Sequence, residues 1–150
     1  MTASDEGGVT LLDVNVLVAL AWPSHVHHAT AHAWFSQHQP LGWATCPTTE
    51  NGFVRVSSNA AVIPHAVPPA AAIELLDQIT RVDGHQFWAD DVRGVVGAQL
   101  DRALVVGHRQ VSDAHLLALA LSRGGALATL DRAVRGLAPR GRASAVLSLL

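Results

Sequence analysis

Residues 9–20 read Val9-Thr10-Leu11-Leu12-Asp13-Val14-Asn15-Val16-Leu17-Val18-Ala19-Leu20, an apolar run that contains a single carboxylate. The first part, Val9 to Leu12, follows two glycines and has the length of a short buried strand. The second part shows no polar–apolar alternation, which favours a helix from Val14 to about Trp22. Asp13 therefore stands at the junction between a buried strand and the helix that follows it.

The rest of the chain continues this alternation of strands and helices. We expect strands at 43–46, 86–89, 126–130 and 144–149, and helices at 25–38, 69–80, 113–122 and 132–137, with a further helix carrying Glu50. Residues 92–109 stay undecided. As helix caps we expect Ser24, then Thr48 or Thr49, then Ser112. Such an alternation predicts a three-layer α/β domain with a mostly parallel central sheet.

The chain is short enough to form one domain. It has 150 residues with neither an internal repeat nor a linker, so we expect residues 1–150 to form one domain and residues 1–8 to be a flexible N-terminal extension. The polar, acidic N-terminus does not look like a signal peptide, and the apolar stretch that breaks at Pro23 is too short to span a bilayer. We therefore expect a cytoplasmic protein without a membrane segment. The single cysteine, Cys46, excludes an internal disulfide, and we expect it to be a small buried residue.

Four acidic residues adjoin predicted buried elements. Asp13 and Asp131 follow strands, whereas Glu50 and Asp113 lie in the first turns of helices. A carboxylate next to a buried apolar segment costs free energy unless a cation or hydrogen bonds compensate it. Because ligands of open parallel sheets bind at the carboxyl ends of the strands, all four side chains are expected to lie on one side of the sheet.

A shared divalent cation is the simplest partner for these four carboxylates, because hard cations prefer oxygen ligands. Each acid alone has an ordinary explanation, since the helix dipole favours negative side chains in a first turn. The four positions together weaken that explanation.

The basic residues are all arginine. The formal net charge of −2 provides no general attraction to nucleic acid. Five of the ten arginines fall in the last 28 residues, where they either contact an RNA backbone or form an ordinary solvated surface. These are Arg123, Arg132, Arg135, Arg140 and Arg142.

Two further residue types suggest sites but have simpler explanations. His28 and His32 have a spacing that binds zinc on a helix, yet no third ligand is evident, and a surface or dimer contact is the better interpretation. The four tryptophans are able to stack on bases, but packing in the core or at a dimer surface is favoured. They are Trp22, Trp34, Trp43 and Trp88.

The four acidic motifs resemble those of the PIN-domain ribonucleases, most closely the VapC toxins of bacterial toxin–antitoxin pairs. The resemblance runs in order from about Thr10 to Leu149, and the only departure is the extra stretch before Val9. One motif alone is weak, but four in order are specific. The motifs are Leu11-Leu12-Asp13-Val14-Asn15-Val16-Leu17-Val18-Ala19-Leu20, Thr49-Glu50-Asn51-Gly52-Phe53-Val54-Arg55-Val56, Gln110-Val111-Ser112-Asp113-Ala114-His115-Leu116-Leu117-Ala118-Leu119-Ala120 and Ala128-Thr129-Leu130-Asp131.

This resemblance implies a PIN-like α/β/α domain and an endoribonuclease that needs Mg²⁺ or Mn²⁺. Its expected substrate is a structured RNA, often a transfer RNA, whose cleavage inhibits translation. It also implies a cognate VapB-type antitoxin that occludes the active site, and a homodimer. The antitoxin is expected to use an apolar groove near the first helices and to place a basic residue against the carboxylates.

The expected roles of the site residues follow from this hypothesis. Asp13, Glu50, Asp113 and Asp131 would be catalytic and would hold the metal, with Asp13 and Asp113 the firmest ligands. Glu50 would bind directly or through water, and so would Asp131, an acid expected at the rim of the site. Asn15 and Thr129 are expected to orient carboxylates by hydrogen bonds. Ser112 either does the same or is only a helix cap.

Two alternatives remain open. Asp13-Val14-Asn15-Val16 also resembles the opening of haloacid-dehalogenase phosphatases, with Asp90 and Asp91 as their acidic pair. Members of that family have a second aspartate at the position of Asn15 and usually a lysine. This chain contains no lysine. The other alternative is a non-catalytic PIN-like module that binds RNA or a protein without cutting, against which the four intact acids argue.

Overall fold

Within residues 8–150, which the computed structural model describes, five strands form the central sheet. They lie in the order β3-β2-β1-β4-β5 and every neighbouring pair is parallel, as the sequence predicts. The expected flexible extension falls, except for Gly8, outside the described residues. The strands are β1 (Thr10–Leu12), β2 (Trp43–Thr45), β3 (His85–Phe87), β4 (Ala126–Thr129) and β5 (Val146–Ser148).

Helices cover both faces of this sheet. The described part of the chain contains α1 (Val14–Ala21), α2 (His28–His38), α3 (Pro47–Ser57), α4 (Pro69–Ile79) and α5 (Val111–Ser122). The undecided segment 92–109 is mostly irregular and contains 3₁₀ turns at Arg102–Leu104 and His108–Gln110. The predicted helix 132–137 is a 3₁₀ helix, Arg132–Leu137. No helix among residues 8–150 is long and apolar enough to cross a membrane.

The two faces of the sheet bury separate clusters of side chains. Leu11 and Leu127 pack with α5 in one cluster, whereas Leu12 and Ala128 pack with α1 in the other. Successive side chains of a strand point to opposite faces, so the short apolar runs in β1 and β4 supply both clusters at once. The result is the predicted three-layer α/β/α arrangement.

The order of the strands places one crevice. Connections from β1 run towards β2 on one side, whereas β4 and β5 lie on the other side of β1. The order in which the chain adds strands therefore reverses between β1 and β4. Open α/β sheets bind ligands outside the carboxyl ends of the strands at such a point. Asp13 follows β1 directly and Asp131 stands two residues after β4.

Three predicted helix caps are wrong. The helix expected from His25 begins at His28, and Ser24 is not its cap. The residues after Pro23 form turns instead, in which the His25 ring accepts the backbone N–H of His27. The helix with Glu50 begins after Cys46, and neither Thr48 nor Thr49 is its N-cap residue.

The Thr49 hydroxyl nevertheless contributes to that helix start, because it accepts the backbone N–H of Cys46 from inside the first turn. Ser112 lies inside the first turn of α5, since that helix continues from the preceding 3₁₀ turn with Gln110 as its N-cap.

Candidate functional site

Asp13 is the most enclosed of the four predicted carboxylates. It is the N-cap of α1 and only 6% exposed. Its Oδ1 accepts the backbone N–H of Val14 at 2.7 Å, and its Oδ2 accepts the Thr129 hydroxyl at 2.8 Å. Burial raises the pKa of Asp13 above its usual value, and these two hydrogen bonds offset only part of that effect. A nearby cation would relieve the cost of keeping this carboxylate charged.

Thr129, which is fully buried, ties the end of β4 to the start of α1. Its hydroxyl donates to Asp13, while its oxygen accepts from the Asn15 side-chain amide at 3.3 Å and from the backbone N–H of Asp131 at 3.1 Å. The Asn15 carbonyl oxygen accepts the backbone N–H of Leu130 at 3.1 Å. One hydroxyl thus uses its donor and both acceptor positions, and this fixes the orientation of the Asp13 carboxylate.

Asp113 and Asp131 share the electrostatic environment of Asp13. Asp113 lies half-buried in the first turn of α5, and burial raises its pKa to about 6, with the charges of Asp13 and Asp131 adding to the effect. Asp131 is exposed and caps the 3₁₀ helix that follows it, accepting the backbone N–H of Ala133 at 2.9 Å. The fold therefore brings three of the four predicted acids into mutual repulsion at the crevice.

Glu50 occupies a different part of the same sheet edge. Its Oε2 accepts the Thr45 hydroxyl at 2.7 Å, and the Thr45 oxygen in turn accepts Nε2–H of His85 at 2.7 Å. Burial lowers the pKa of His85, although the negative charge of Glu50 opposes that shift. Glu50 is thus held towards β2 and β3, whereas the carboxylates whose charges act on Asp113 are Asp13 and Asp131.

A cleft of about 330 Å³ opens beside Asp13 and Asp113. Asn15 shares the acidic end with these two residues. The remaining lining is largely apolar and comes from α1, α3 and the turns that follow these two helices. It consists of Val14, Val18, His25, Val56, Val62 and Ile63. The cleft therefore joins a cation-attracting end to a hydrophobic wall.

The donor set fits a hard divalent cation. Among residues 8–150 no three His, Cys, Asp or Glu side chains form a group that would enclose a metal by themselves. Mg²⁺ commonly binds one or two carboxylates, keeps several waters and takes further oxygens from phosphate groups. Asp13 and Asp113 are two repelling carboxylates that line an open cleft. They match that requirement better than the closed tetrahedral site of a structural zinc would.

The other candidate residues have packing roles or lie on the surface. Trp43 and Trp88 are buried in the core, and Trp22 and Trp34 pack at its edge, as expected. Cys46 is buried, also as expected. The rings of His28 and His32 are 5.2 Å apart, and His28 Nδ1 lies 2.7 Å from the backbone carbonyl of Ala19.

The C-terminal arginines fall into two groups. Arg123 pairs with Asp91 at 3.1 Å and lies over the Trp88 ring. The other members of the predicted basic group are exposed, and none of them forms an ion pair within the part of the chain that the structure describes. They are Arg132, Arg135, Arg140 and Arg142. Two of them lie in the 3₁₀ helix that Asp131 caps.

The comparison with known proteins agrees with this geometry. The model of the PIN-domain family matches residues 10–138, which include all four acids. The chain belongs to the PIN-domain family. It is 53% identical over 131 residues to ribonuclease VapC39 of Mycobacterium tuberculosis, a match that covers 87% of this chain and 94% of that protein.

Two further relatives from Mycobacterium tuberculosis extend this similarity. Ribonuclease VapC38 is 55% identical over 130 residues, covering 87% of this chain and 90% of the relative. Ribonuclease VapC44 is 42% identical over 124 residues, covering 83% and 87%. These matches place the chain among VapC-type PIN domains, and they set aside the phosphatase alternative. Its supposed acidic pair, Asp90 and Asp91, contacts Thr48, His115 and Arg123 instead.

Several residues around the PIN-domain site were not found from the sequence. Thr45 and His85, which hold Glu50, are 40 positions apart, and Asp90 lies 42 positions from Thr48 and 25 from His115. Local sequence patterns do not indicate contacts between residues that are so far apart in the chain. His115 lies in the third acidic motif, two residues after Asp113. That position was the one available indication that it belongs to the surroundings of the site.

Proposed function

We propose that this protein is an endoribonuclease that depends on Mg²⁺ or Mn²⁺ and acts as the toxin of a toxin–antitoxin pair. The observation that carries the proposal is the convergence of Asp13, Asp113 and Asp131 where the strand order reverses. There, burial and mutual repulsion raise the pKa of Asp113 to about 6. The relatives named as ribonucleases support the same activity.

Asp13 and Asp113 would hold the divalent cation. Asp131 and Glu50 would bind it directly or through water from the two sides of the crevice. A bound cation would lower the pKa of a water molecule and neutralise charge on the phosphodiester under attack. This ligand assignment is supported by the hard oxygen donors and by the repulsion among the carboxylates, which a cation would relieve.

The surrounding residues would keep these carboxylates in place. Thr129 donates to Asp13 Oδ2, and that oxygen keeps a further lone pair for a cation. Asn15 holds Thr129 in turn, so that both act by orienting the first ligand. Ser112 has no such contact to a carboxylate among the hydrogen bonds of residues 8–150, and we assign it no role in the reaction.

The substrate would be a structured RNA such as a transfer RNA, cut in the cytoplasm with inhibition of translation as the result. Four exposed arginines without an ion pair within residues 8–150 follow Asp131 in the chain and suit phosphate groups. They are Arg132, Arg135, Arg140 and Arg142. They compensate locally for a net charge that is slightly negative.

A VapB-type antitoxin would neutralise the enzyme. The cleft beside Asp13 and Asp113 offers an apolar wall for an apolar segment of the partner and an acidic end for a basic side chain. We also expect a homodimer. Co-purification of a neighbouring gene product that blocks cleavage would support this partner.

The function is tested by incubating the purified, antitoxin-free protein with total RNA and with transfer RNA. Each reaction contains Mg²⁺, Mn²⁺ or EDTA, and Asp113→Asn serves as the inactive variant. Discrete fragments that require both a divalent cation and Asp113 are the expected result. RNA binding without cleavage under either metal, from folded protein, would favour the non-catalytic PIN-like module.

A further inference from the structure

Asp90 connects the two helices that carry Glu50 and Asp113. Its Oδ2 accepts the Thr48 hydroxyl at 2.9 Å, and its Oδ1 accepts Nε2–H of His115 at 2.6 Å. Thr48 lies two residues before Glu50 in α3, and His115 lies two residues after Asp113 in α5. A single carboxylate thus joins the N-terminal ends of the helices that carry two of the proposed ligands.

Both hydrogen bonds lie at the protein surface, although the Asp90 and His115 side chains are mostly covered. About a quarter of the Asp90 and His115 side chains is exposed, 23% and 25% respectively. The other ring nitrogen of His115 faces the backbone at Gly94, where a Cβ would collide with the ring. Because the ionised Asp90 carboxylate only accepts hydrogen bonds, His115 carries a proton on Nε2. The ring is therefore fixed between Asp90 and Gly94.

The neighbouring Asp91 provides a contrast. Its carboxylate, 63% exposed, pairs with Arg123 at the end of α5. It makes no contact with α3 among the hydrogen bonds of the described residues. Of these two adjacent aspartates of equal charge, only Asp90 connects α3 to α5 among the hydrogen bonds of residues 8–150.

We propose that Asp90 is a positioning residue that fixes the spacing between the N-terminal ends of α3 and α5, and thereby sets the affinity of the acidic site for its divalent cation. The inference rests on the proposed metal-dependent activity. Metal ligands must be held within a few tenths of an ångström, and loss of a residue that orients them costs about 10- to 100-fold in metal affinity or activity. Asp90 touches neither the RNA nor the cation in this scheme.

The experiment compares Asp90→Ala with Asp91→Ala, which removes the same charge one residue away. RNA cleavage is measured at saturating RNA over a series of Mn²⁺ concentrations. We expect Asp90→Ala to raise the half-saturating Mn²⁺ concentration by about 10- to 100-fold while excess Mn²⁺ restores most of the rate. Asp91→Ala should match the wild type.

Milder variants test whether Asp90 acts through its two partners. Thr48→Val and His115→Ala each remove one hydrogen bond, and Asp90→Asn keeps one acceptor oxygen, so all three should give intermediate half-saturating concentrations. Either partner substitution added to Asp90→Ala should have no further effect, because Asp90→Ala already removes both hydrogen bonds. These variants also serve if Asp90→Ala does not fold.

Two results would overturn the inference. One is equal Mn²⁺ dependence in the Asp90 and Asp91 variants. The other is a reduced maximal rate in Asp90→Ala with an unchanged half-saturating concentration, which indicates a loss of folded protein only. Calorimetric Mn²⁺ titration of the same variants separates this inference from the proposed function. If the wild type binds Mn²⁺ but cuts no RNA, weaker binding by Asp90→Ala still supports positioning, and equal binding contradicts it.

Discussion

The Thr129 hydroxyl donates a 2.8 Å hydrogen bond to Asp13, a residue 116 positions away in the chain. This contact joins the ends of the parallel strands β1 and β4 at the point where the strand order reverses. It also gives the buried Asp13 carboxylate one of its two hydrogen bonds in the described residues. The contact therefore links the stability of the sheet edge to the geometry of the proposed metal ligand.

Removing that hydroxyl should affect both stability and activity. In Thr129→Val the Asp13 carboxylate loses a donor, at an expected cost of about 1–3 kcal/mol in the free energy of unfolding at neutral pH. Thr129→Ser keeps the hydroxyl and should retain the Mn²⁺ dependence of cleavage, whereas Thr129→Val should require more Mn²⁺. Urea unfolding and cleavage kinetics measure the two effects. Identical behaviour of the two variants would show that the hydroxyl is unimportant.

The carboxylate cluster should make the metal-free protein sensitive to pH. The folded-state pKa of Asp113 is about 6 against a reference value of 3.8, so its contribution to stability is fully present below about pH 4. That contribution is lost as the pH rises through about 6. In EDTA, the melting temperature of the wild type relative to Asp113→Asn should therefore fall between about pH 4 and pH 7.

Divalent cation should reverse this loss. At pH 7, Mn²⁺ is expected to raise the melting temperature of the wild type more than that of Asp113→Asn, because binding to the folded state stabilises it. Thermal unfolding with and without EDTA measures both effects. If the difference in melting temperature between the wild type and Asp113→Asn in EDTA did not change with pH, that result would contradict the raised pKa of Asp113.

The approach of α3 to α1 should also matter for activity. A Cβ at Gly52 would lie 2.5 Å from Cγ2 of Val14, the residue that follows Asp13. Gly52→Ala should push the two helices apart and reduce cleavage. Adding Val14→Ala makes room for the new methyl group and should restore part of the rate. Cleavage rates of the single and double variants test this, and failure of Val14→Ala to improve Gly52→Ala would refute the steric explanation.

The exposed arginines should bind phosphate groups of the RNA. Arg132→Ala or Arg135→Ala is expected to weaken RNA binding and to reduce the slope of log affinity against log salt by about 0.7–1 for each phosphate that the variant no longer binds. Arg81→Ala is the matched control, because Arg81 already pairs with Asp77 at 2.9 Å. Binding is measured by titration at several salt concentrations with Asp113→Asn as the background, so that the RNA stays intact. Unchanged slopes would assign these arginines to the solvated surface.

The sequence predicted the parts of the fold that depend on local patterns. The junction at Asp13 was predictable because a buried strand ends there and an aspartate caps the next helix, both within a few residues. The parallel sheet and the positions of the four acids at its carboxyl edge followed from the alternation of strands and helices.

The rest depended on tertiary contacts, for which no local pattern exists. Helix α3 starts at Pro47 because the backbone N–H of Cys46 is satisfied by Thr49 from inside the helix. The orientation of the Glu50 carboxylate depends on its hydrogen bond from the Thr45 hydroxyl. The bridge at Asp90 joins segments 42 and 25 positions away. These features follow from tertiary packing.

The most direct test of the central claim is calorimetric titration of Mn²⁺ into the purified protein, compared with Asp13→Asn, Asp113→Asn and Asp91→Asn. Asp13 and Asp113 are proposed ligands, so each substitution should weaken binding by at least about tenfold, or 1.4 kcal/mol. Asp91→Asn removes an acidic charge that pairs with Arg123 and should bind like the wild type. Equal affinity in all four proteins would contradict the assignment of a metal site to these carboxylates.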